Sequence, residues 1–387
     1  MADKKFTEEK YNDFGDIPVL SGQTEISAED ASFDSEKIKT LDRHFLDLIK
    51  TDALQSASYL LARKGKIFAW KSMGKLDYEK GGLYQPDSIR WIASMTKMFT
   101  AVSIIQLYER GKLNIFEPVA VHLKEFDTNL HKKITPHHLM THTSGLRADG
   151  GYFSEPYMQG WNEKLNNWIE SYLAGPVQSL PGEKWSYSSM GYAVLGELVM
   201  KISGLDITEY IDQNIVKPLK MNDTGFFVPE EKLGRLCITC DWERNRIKTE
   251  PELDRKGYPP PAGGGMVSTM YDMYRLGQCL LNNGTLDGAR ILSRKAVEFL
   301  STNQLEDVSA YHWGGNYSDF KYGVGFVVKK DDFATWNTFG HEGAGFSGLY
   351  VDRDHDLVYM FYVPSGNGWT AESVDNPRAI VWSGLME

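Results

Sequence analysis

The feature that most constrains this chain is a helix that the sequence predicts to be apolar around most of its circumference. The helix begins near Ser94 and ends at Arg110, with Gly111 as its C-terminal stop. Such a helix must be enclosed by other elements. A chain of 387 residues, 42% of them hydrophobic, can supply a core of that size in one enlarged domain or in two. The apolar positions are Met98, Phe99, Val102, Ile104, Ile105 and Leu107.

Helical and strand-like segments flank this helix on both sides in the sequence. Before it, apolar periodicity predicts a helix at 35–48 and a hairpin of Ala57–Ala62 with Ile67–Trp70. After it, the chain is mainly helical to about Pro260, and 323–363 then has strand character. This order predicts an α/β (α+β) fold, in which an antiparallel sheet lies beside an inserted all-helical domain.

A last helix is predicted at Pro377–Leu385, with Asn376 as its cap, so helices at both ends of the chain would cover the sheet. The predicted organisation has three parts, and an active site would lie between the second and the third. They are an irregular N-terminal arm (1–34), a sheet domain (35–85 and 262–387) and a mainly helical domain (86–261).

The charge balance restricts the possible partners. The net charge of −10 argues against nucleic acid and against an anionic membrane surface, because both need clustered Lys and Arg. There is no run of about 18 apolar residues, and the charged N-terminus has no signal-peptide core, so we expect a cytoplasmic protein. The three cysteines, Cys237, Cys240 and Cys279, include one CxxC pair without a second, and this favours thiols in a reducing compartment over a metal or redox site.

An S-x-x-K pattern stands at the start of the apolar helix, at Ser94 and Lys97. A serine hydroxyl is a poor nucleophile until a base takes its proton. Residues three apart share a helix face, so the Lys97 amine can reach the hydroxyl, and a helix start favours developing negative charge. Ser94 is therefore a candidate for a covalent nucleophile, although the pattern alone is not specific. The same pattern recurs outside the apolar helix, at Ser72/Lys75 and Ser318/Lys321.

Five segments carry motifs in a fixed order along the chain: Ile89–Lys97 (IRWIASMTK), Ile134–Leu146 (ITPHHLMTHTSGL), Leu180–Gly196 (LPGEKWSYSSMGYAVLG), Gly263–Asp272 (GGGMVSTMYD) and Gly340–Gly348 (GHEGAGFSG). Together they resemble the superfamily of serine β-lactamases, penicillin-binding proteins and family VIII carboxylesterases. The resemblance covers the chain from about Ser35 to its C-terminus. It implies a β-lactamase/transpeptidase-like fold and a serine hydrolase that forms an acyl-enzyme.

The resemblance also implies a role for each catalytic group. Ser94 would attack the carbonyl, Lys97 would accept or shuttle its proton, and Tyr187 would serve as base and then as acid toward the leaving group. The backbone N–H groups of Ser94 and Ala344 would stabilise the oxyanion. Ser189, His341, Glu342 and Gly343 would contact the substrate. No cofactor and no metal is implied.

Two motifs depart from the pattern of the β-lactamases. Ser189 stands where the superfamily usually has asparagine, which puts recognition of peptide-like substrates in doubt. His341-Glu342-Gly343 stands where lactamases have Lys-Thr-Gly. A carboxylate at Glu342 within about 4 Å of a substrate carboxylate would repel it by roughly 1–4 kcal/mol, which predicts poor β-lactamase activity. Glu342 could instead attract a substrate amine, or point away from the pocket.

Aromatic residues near the motifs could line an apolar acyl or alcohol pocket. Trp313 and Tyr152 are the preferred candidates for substrate contact. The others are Phe153, Trp161, Tyr317 and Trp336.

Several functions remain open at this point. We rank a carboxylesterase or transacylase acting on small esters first, then a D-amino-acid amidase or peptidase, then a β-lactamase. From another class, a penicillin-recognising sensor would acylate without turnover, and only sustained turnover would exclude it. Metal-dependent hydrolysis through His138 and His142 lacks a third ligand and an adjacent glutamate. The expected partner is therefore a small ester, amide or lactam.

Overall fold

The computed structural model describes residues 6–147, 167–251, 258–306, 308–312, 315–316, 320–329, 333–365 and 370–386. The strands are β1 Thr7–Lys10, β2 Pro18–Ser21, β3 Ser56–Arg63, β4 Lys66–Asp77, β5 Gly81–Leu83, β6 Ile89–Trp91, β7 Lys184–Trp185, β8 Val267–Thr269, β9 Thr285–Leu286, β10 Ala289–Arg290, β11 Ser309–His312, β12 Gly315–Asn316, β13 Lys321–Tyr322, β14 Val327–Lys329, β15 Thr338–Gly343, β16 Ser347–Asp352 and β17 Leu357–Tyr362. The α-helices are α1 Ser35–Lys50, α2 Thr96–Glu109, α3 Pro136–Met140, α4 Trp168–Leu173, α5 Ser189–Ser203, α6 Ile207–Ile211, α7 Asp241–Arg246, α8 Met270–Leu281, α9 Arg294–Leu300 and α10 Ala371–Trp382.

One large sheet joins the two ends of the chain. Its strand order in the described residues is β1-β2-β4-β3-β17-β16-β15-β14-β13, and β5 pairs with β4 off this path. All its pairings are antiparallel. The central strands β3, β16 and β17 are buried along their whole length, because helices cover both faces. This confirms the predicted fold class, a mainly antiparallel sheet flanked by the terminal helices.

The two faces of the sheet have separate apolar cores. On one face, α1 and α10 pack together, and Phe45, Tyr59 and Trp382 lie in their core. On the other face, α8 crosses β16 and β17, and the core continues into the helices around α2. Thr96 to Leu107 of α2 are all buried, as the apolar pattern of this helix predicted. The S-x-x-K pattern therefore leads into a helix that is buried over its first twelve residues. The domain limits at 86–261 stay a prediction.

The N-terminal segment, which we predicted to be irregular, contains two strands at the edge of the sheet. β2 pairs with β4, and β1 pairs with β2. The anchor is the buried carboxylate of Asp42 on α1, which accepts hydrogen bonds from the hydroxyls of Tyr11 (2.7 Å) and Tyr59 (2.6 Å) and pairs with Lys71 at 2.5 Å. These partners are distant in sequence, so no local pattern revealed them.

The predicted start of the last helix was wrong. Helix α10 begins at Ala371, six residues before Pro377, which lies inside it. Thr370 and Ser373 form a reciprocal capping box, and this stabilises the earlier start. Proline in the interior removes one N–H donor but does not end the helix here.

Asp272 in the first turn of α8 links this helix to the loop at 222–224. Its side chain is buried, and Oδ2 accepts hydrogen bonds from the backbone N–H of Asp223 (2.7 Å) and the hydroxyl of Thr224 (2.9 Å). Burial raises the pKa of Asp272 to about 6, although these hydrogen bonds favour the charged form. At neutral pH the Asp272 side chain is therefore a buried carboxylate, and its desolvation lowers the stability of the fold.

We expect the variant Asp272→Asn to change how the free energy of unfolding depends on pH. The folded pKa of about 6 lies above the unfolded value of 3.8, so the folded state binds this proton more tightly. The stabilisation is full below the unfolded pKa and is lost as the pH rises through about 6. Relative to Asp272→Asn, the wild type should lose about 2 kcal/mol between about pH 4.5 and about pH 7.5, measured by urea unfolding. If the difference in the free energy of unfolding between wild type and Asp272→Asn were the same at both pH values, this prediction would be wrong.

In the described parts of the chain, the structure has no helix that combines the length and apolar character needed to cross a bilayer.

Candidate active site

Ser94 lies at a tight turn that joins β6 to α2. The turn is a short 3-10 helix, Ala93–Met95, and Ala93 has a φ of 46°, in the left-handed region that side chains rarely adopt. Strained backbone of this kind persists where the surroundings hold it, often at functional sites. The Ser94 side chain is buried, and its Oγ lies 3.2 Å from Nζ of Lys97. The three-residue spacing therefore places an amine beside the hydroxyl.

Lys97 is fully buried, and polar groups from three segments of the described chain lie against its amine. Nζ lies 3.2 Å from Ser94 Oγ, 3.1 Å from Ser189 Oγ and 2.7 Å from the carbonyl oxygen of Gly263. An ammonium can donate to all three. A neutral amine can donate to Ser189 and Gly263 and keep its lone pair for the Ser94 proton. The arrangement thus fits both states of a proton shuttle.

Tyr187 lies against the same amine. Nζ of Lys97 is 4.6 Å from the centre of the Tyr187 ring and 5.5 Å from that of Tyr192. Tyr187 precedes the cap of α5, where Ser188 Oγ accepts a hydrogen bond from the N–H of Gly191. The cap fixes the backbone next to Tyr187, whose ring packs against the Lys97 amine.

His142 supports Tyr187 from behind. The two ring centres are 4.3 Å apart, and Nδ1 of His142 accepts a hydrogen bond from the N–H of Ser188 at 3.1 Å. The other histidine considered as a metal ligand, His138, directs Nδ1 to Thr135 in the cap of α3. Each of these histidines thus has a structural partner of its own.

The tip of the β15–β16 hairpin lies against the segment that leads into Ser94. A Cβ on Gly343 would lie 2.2 Å from the carbonyl oxygen of Ile92, and one on Gly345 would lie 2.1 Å from that of Trp91. Only glycine permits this approach of two backbones. Ala344 stands between these glycines, so its peptide is next to the turn that carries Ser94. The backbone at Ala344 and the backbone that leads into Ser94 are therefore close neighbours.

A comparison of the sequence with known protein families agrees with this arrangement of residues. The family model described as Beta-lactamase matches residues 41–381.

The chain belongs to the beta-lactamase family.

The alignments with similar proteins extend over most of the chain. Protein Rv1367c of Mycobacterium tuberculosis is 27% identical over 80% of this chain and 86% of its own length. A class C beta-lactamase structure superposes with a TM-score of 0.72 at 15% identity, covering 92% of this chain and 98% of the other. A family VIII carboxylesterase superposes with a TM-score of 0.68 at 20% identity, covering 91% and 99%. Together with the family match, the structures confirm the resemblance in fold to both classes.

His341 replaces the lysine of the third β-lactamase motif. Its Nδ1 donates to the carbonyl oxygen of Glu342 at 2.5 Å, and its Nε2 lies 3.4 Å from the hydroxyl of Tyr322. The centre of its ring is 6.4 Å from that of Tyr187. A neutral imidazole satisfies both polar contacts, and its position beside Tyr187 puts His341 on the wall of the site.

The predicted contact of Glu342 with substrate does not fit its position. Side chains alternate along β15, so Glu342 faces the opposite side of the sheet from His341. Its carboxylate accepts a hydrogen bond from the hydroxyl of Tyr350 and lies 3.7 Å from Nη1 of Arg378 on α10. The argument that Glu342 repels a lactam carboxylate therefore loses its basis, and so does attraction of a substrate amine.

The other residues that were predicted to contact substrate do not all lie at the site. Gly343 and Ser189 lie at the site, by the approach to Ile92 and the contact with Lys97. Trp336 is an exposed loop residue. The preferred aromatic candidates lie outside the described residues, as do three of the others: Tyr152 and Trp313, then Phe153, Trp161 and Tyr317.

Gly263 and His142 are among the described residues of the site that sequence reasoning missed. The carbonyl oxygen of Gly263 contacts Lys97, yet a backbone atom has no sequence signal beyond the glycine-rich run itself. His142 was considered only as a metal ligand. Its place in the segment Ile134–Leu146, which resembles the family, was the available signal for a role near Tyr187.

Proposed function

We propose that this chain is a serine hydrolase that acts through an acyl-enzyme on small esters, as a carboxylesterase or transacylase. The observation that carries the proposal is the environment of Lys97, a buried amine within 3.2 Å of the Ser94 hydroxyl and directed by Ser189 and Gly263. This geometry puts the amine within reach of the Ser94 proton, which is the first requirement for a general base.

The proposed reaction has two halves. Ser94 Oγ attacks the ester carbonyl as its proton passes to Lys97, and Tyr187, which lies against that amine, helps to deliver a proton to the departing alcohol. The carbonyl carbon is then bonded to Ser94 and the alcohol is released. Water, or a second alcohol in a transacylase, attacks the acyl-enzyme with the same residues as base, and Ser94 regains its proton.

The negative charge on the substrate oxygen needs donors. We assign this role to the backbone N–H groups of Ser94 and Ala344, which the close approach at Gly343 and Gly345 supports. A preorganised donor of this type contributes about 3–4 kcal/mol to the transition state. The first N–H groups of a helix have no intrahelical partner, so Ser94 is suited to this role.

An ester is preferred over a lactam because of the groups around this nucleophile. Ser189, at the usual asparagine position, is already in contact with Lys97, and His341 supplies an imidazole where lactamases have a lysine. A lactam carboxylate would therefore meet no ammonium at this position.

We expect hydrolysis of p-nitrophenyl butyrate to exceed that of nitrocefin by about 10²-fold or more in kcat/KM, because a site without matched polar groups discriminates at least this strongly. D-alanine p-nitroanilide, assayed in parallel, tests the amidase alternative. The measurement is initial rate at several substrate concentrations. Equal rates on ester and nitrocefin would overturn the ester assignment.

A labelling experiment tests the acyl-enzyme itself. Intact mass after exposure to a fluorophosphonate should show a single adduct, and peptide mapping should place it on Ser94. Turnover of many equivalents of ester per enzyme would distinguish a hydrolase from a sensor that acylates once.

A further inference from the structure

A buried ion pair lies directly behind the nucleophile segment. Both nitrogens at the end of the Arg90 guanidinium lie 2.6 Å from the carboxylate oxygens of Glu243, and both side chains are almost fully buried. The Glu243 carboxylate also accepts the N–H of Thr239 at 2.9 Å. Burial opposes its charge, but the guanidinium and its hydrogen bonds hold the pKa of Glu243 below its usual value. The pair is therefore charged at neutral pH.

The third side of the guanidinium faces the oxyanion segment. Nε of Arg90 donates to the carbonyl oxygen of Gly345 at 3.1 Å. Gly345 follows Ala344, whose N–H is one of the two proposed oxyanion donors. Arg90 itself lies on β6, four residues before Ser94, which supplies the other donor. One side chain thus connects the backbone segments of both donors.

A buried ion pair of this kind contributes little net stability, so its role here is to fix geometry. Desolvating two ions costs several kcal/mol each, and an apolar pair of the same size is often as stable or more so. A bidentate pair does fix the plane of the guanidinium, and so the direction of Nε–H. The short helix α7 behind it is anchored by the ring of Trp242, 5.2 Å from that of Trp91.

We propose that Arg90 and Glu243 are positioning residues that set the spacing of the two oxyanion donors, with Glu243 orienting Arg90 and Arg90 holding the Gly345 carbonyl. This inference rests on the proposed function, since it presumes an oxyanion at Ser94 and Ala344. Neither side chain touches the substrate. A misplacement of about 1 Å at a reacting centre can cost about 10²-fold in rate.

The test compares three proteins: wild type, Glu243→Gln and the double variant Arg90→Met/Glu243→Leu. We expect kcat for p-nitrophenyl butyrate to fall by about 10- to 100-fold in both variants, with KM within about twofold. Affinity for a boronic acid that forms a tetrahedral adduct should fall in parallel with kcat, because its oxygen uses the same donors. The pH profile of kcat/KM should keep its shape, since Lys97 is not altered.

Glu243→Gln leaves a buried arginine without its carboxylate partner. If that protein fails to fold, the double variant provides the test. Its apolar pair should preserve stability while removing the hydrogen bond to Gly345. The matched control is Asp287→Asn, which removes the partner of Arg275, another arginine that bonds a backbone carbonyl, here of Leu219. It should lower the melting temperature and leave kcat unchanged.

The outcomes separate this inference from the proposed function. If fluorophosphonate did not label Ser94 in the wild type, the proposed function would be wrong. Normal labelling of the wild type, together with an unchanged kcat and boronate affinity in the folded double variant, would overturn only the positioning role. A fall in kcat matched by an equal fall for Asp287→Asn would also overturn it, because the effect would then be general destabilisation.

Discussion

Replacing Ser94 by alanine is expected to lower kcat for p-nitrophenyl butyrate by about 10⁴- to 10⁶-fold, because the hydroxyl is the group that bonds to the acyl carbon. The oxyanion donors remain, so slow hydrolysis above the uncatalysed rate can persist. The fluorophosphonate adduct should disappear from the intact mass. Stability should change little, because alanine is only slightly smaller than the buried serine and the change removes one hydrogen bond, between the Ser94 hydroxyl and Lys97.

The matched control is Ser72→Ala, in a second S-x-x-K pattern of the same chain. Ser72 is buried on β4 and donates to the carbonyl oxygen of Tyr84 at 2.9 Å. Residues three apart on a strand face opposite sides, so Lys75 is not directed at Ser72. This variant should retain its kcat. Full activity of Ser94→Ala, with the control unchanged, would remove the nucleophile from the mechanism.

Replacing Lys97 by methionine is expected to lower kcat/KM for the ester by about 10²- to 10⁴-fold, the usual contribution of a positioned general base. Methionine keeps most of the volume and removes the lone pair that takes the Ser94 proton. The rate of fluorophosphonate labelling should fall by a similar factor, because it needs the same activated hydroxyl. The Gly263 carbonyl loses its donor, which should cost about 1–3 kcal/mol of stability.

Lys75→Met, from the pattern on β4, is the corresponding control and should have wild-type kinetics. Thermal unfolding of both variants shows whether the folded fraction accounts for any loss of activity. A Lys97→Met protein that is folded and labels as fast as the wild type would contradict the proposed role of the amine. Slow labelling with a normal fold would support it.

Local periodicity predicted the elements that now position the site. The apolar run after Ser94 became α2, and the predicted hairpin became β3 and β4, turning at Lys64 and Gly65 with positive φ. Helix α5 follows Tyr187 closely, as expected. These predictions succeed because each depends on side chains within one or two turns of the chain.

Contacts between distant residues were beyond such reasoning. The edge strands β1 and β2 depend on Asp42 meeting Tyr11 and Lys71. The direction of Glu342 depends on the register of β15, because a shift of one residue would exchange it with His341. The sequence shows a motif of three residues but not which of them faces the pocket.

By itself, the sequence determined the fold class, the family and the pair Ser94 and Lys97, because helical spacing and ordered motifs are properties of the chain read in line. The tertiary structure alone decided that Gly263 and Ser189 direct the amine, that Glu342 binds Arg378, and that Arg90 reaches Gly345. Each of these contacts joins residues about 36 to 255 positions apart. Such contacts form only when the hydrophobic core brings separate segments together. Because the hydrophobic effect is not directional, a local apolar pattern predicts that a segment is buried but not which distant segment it meets.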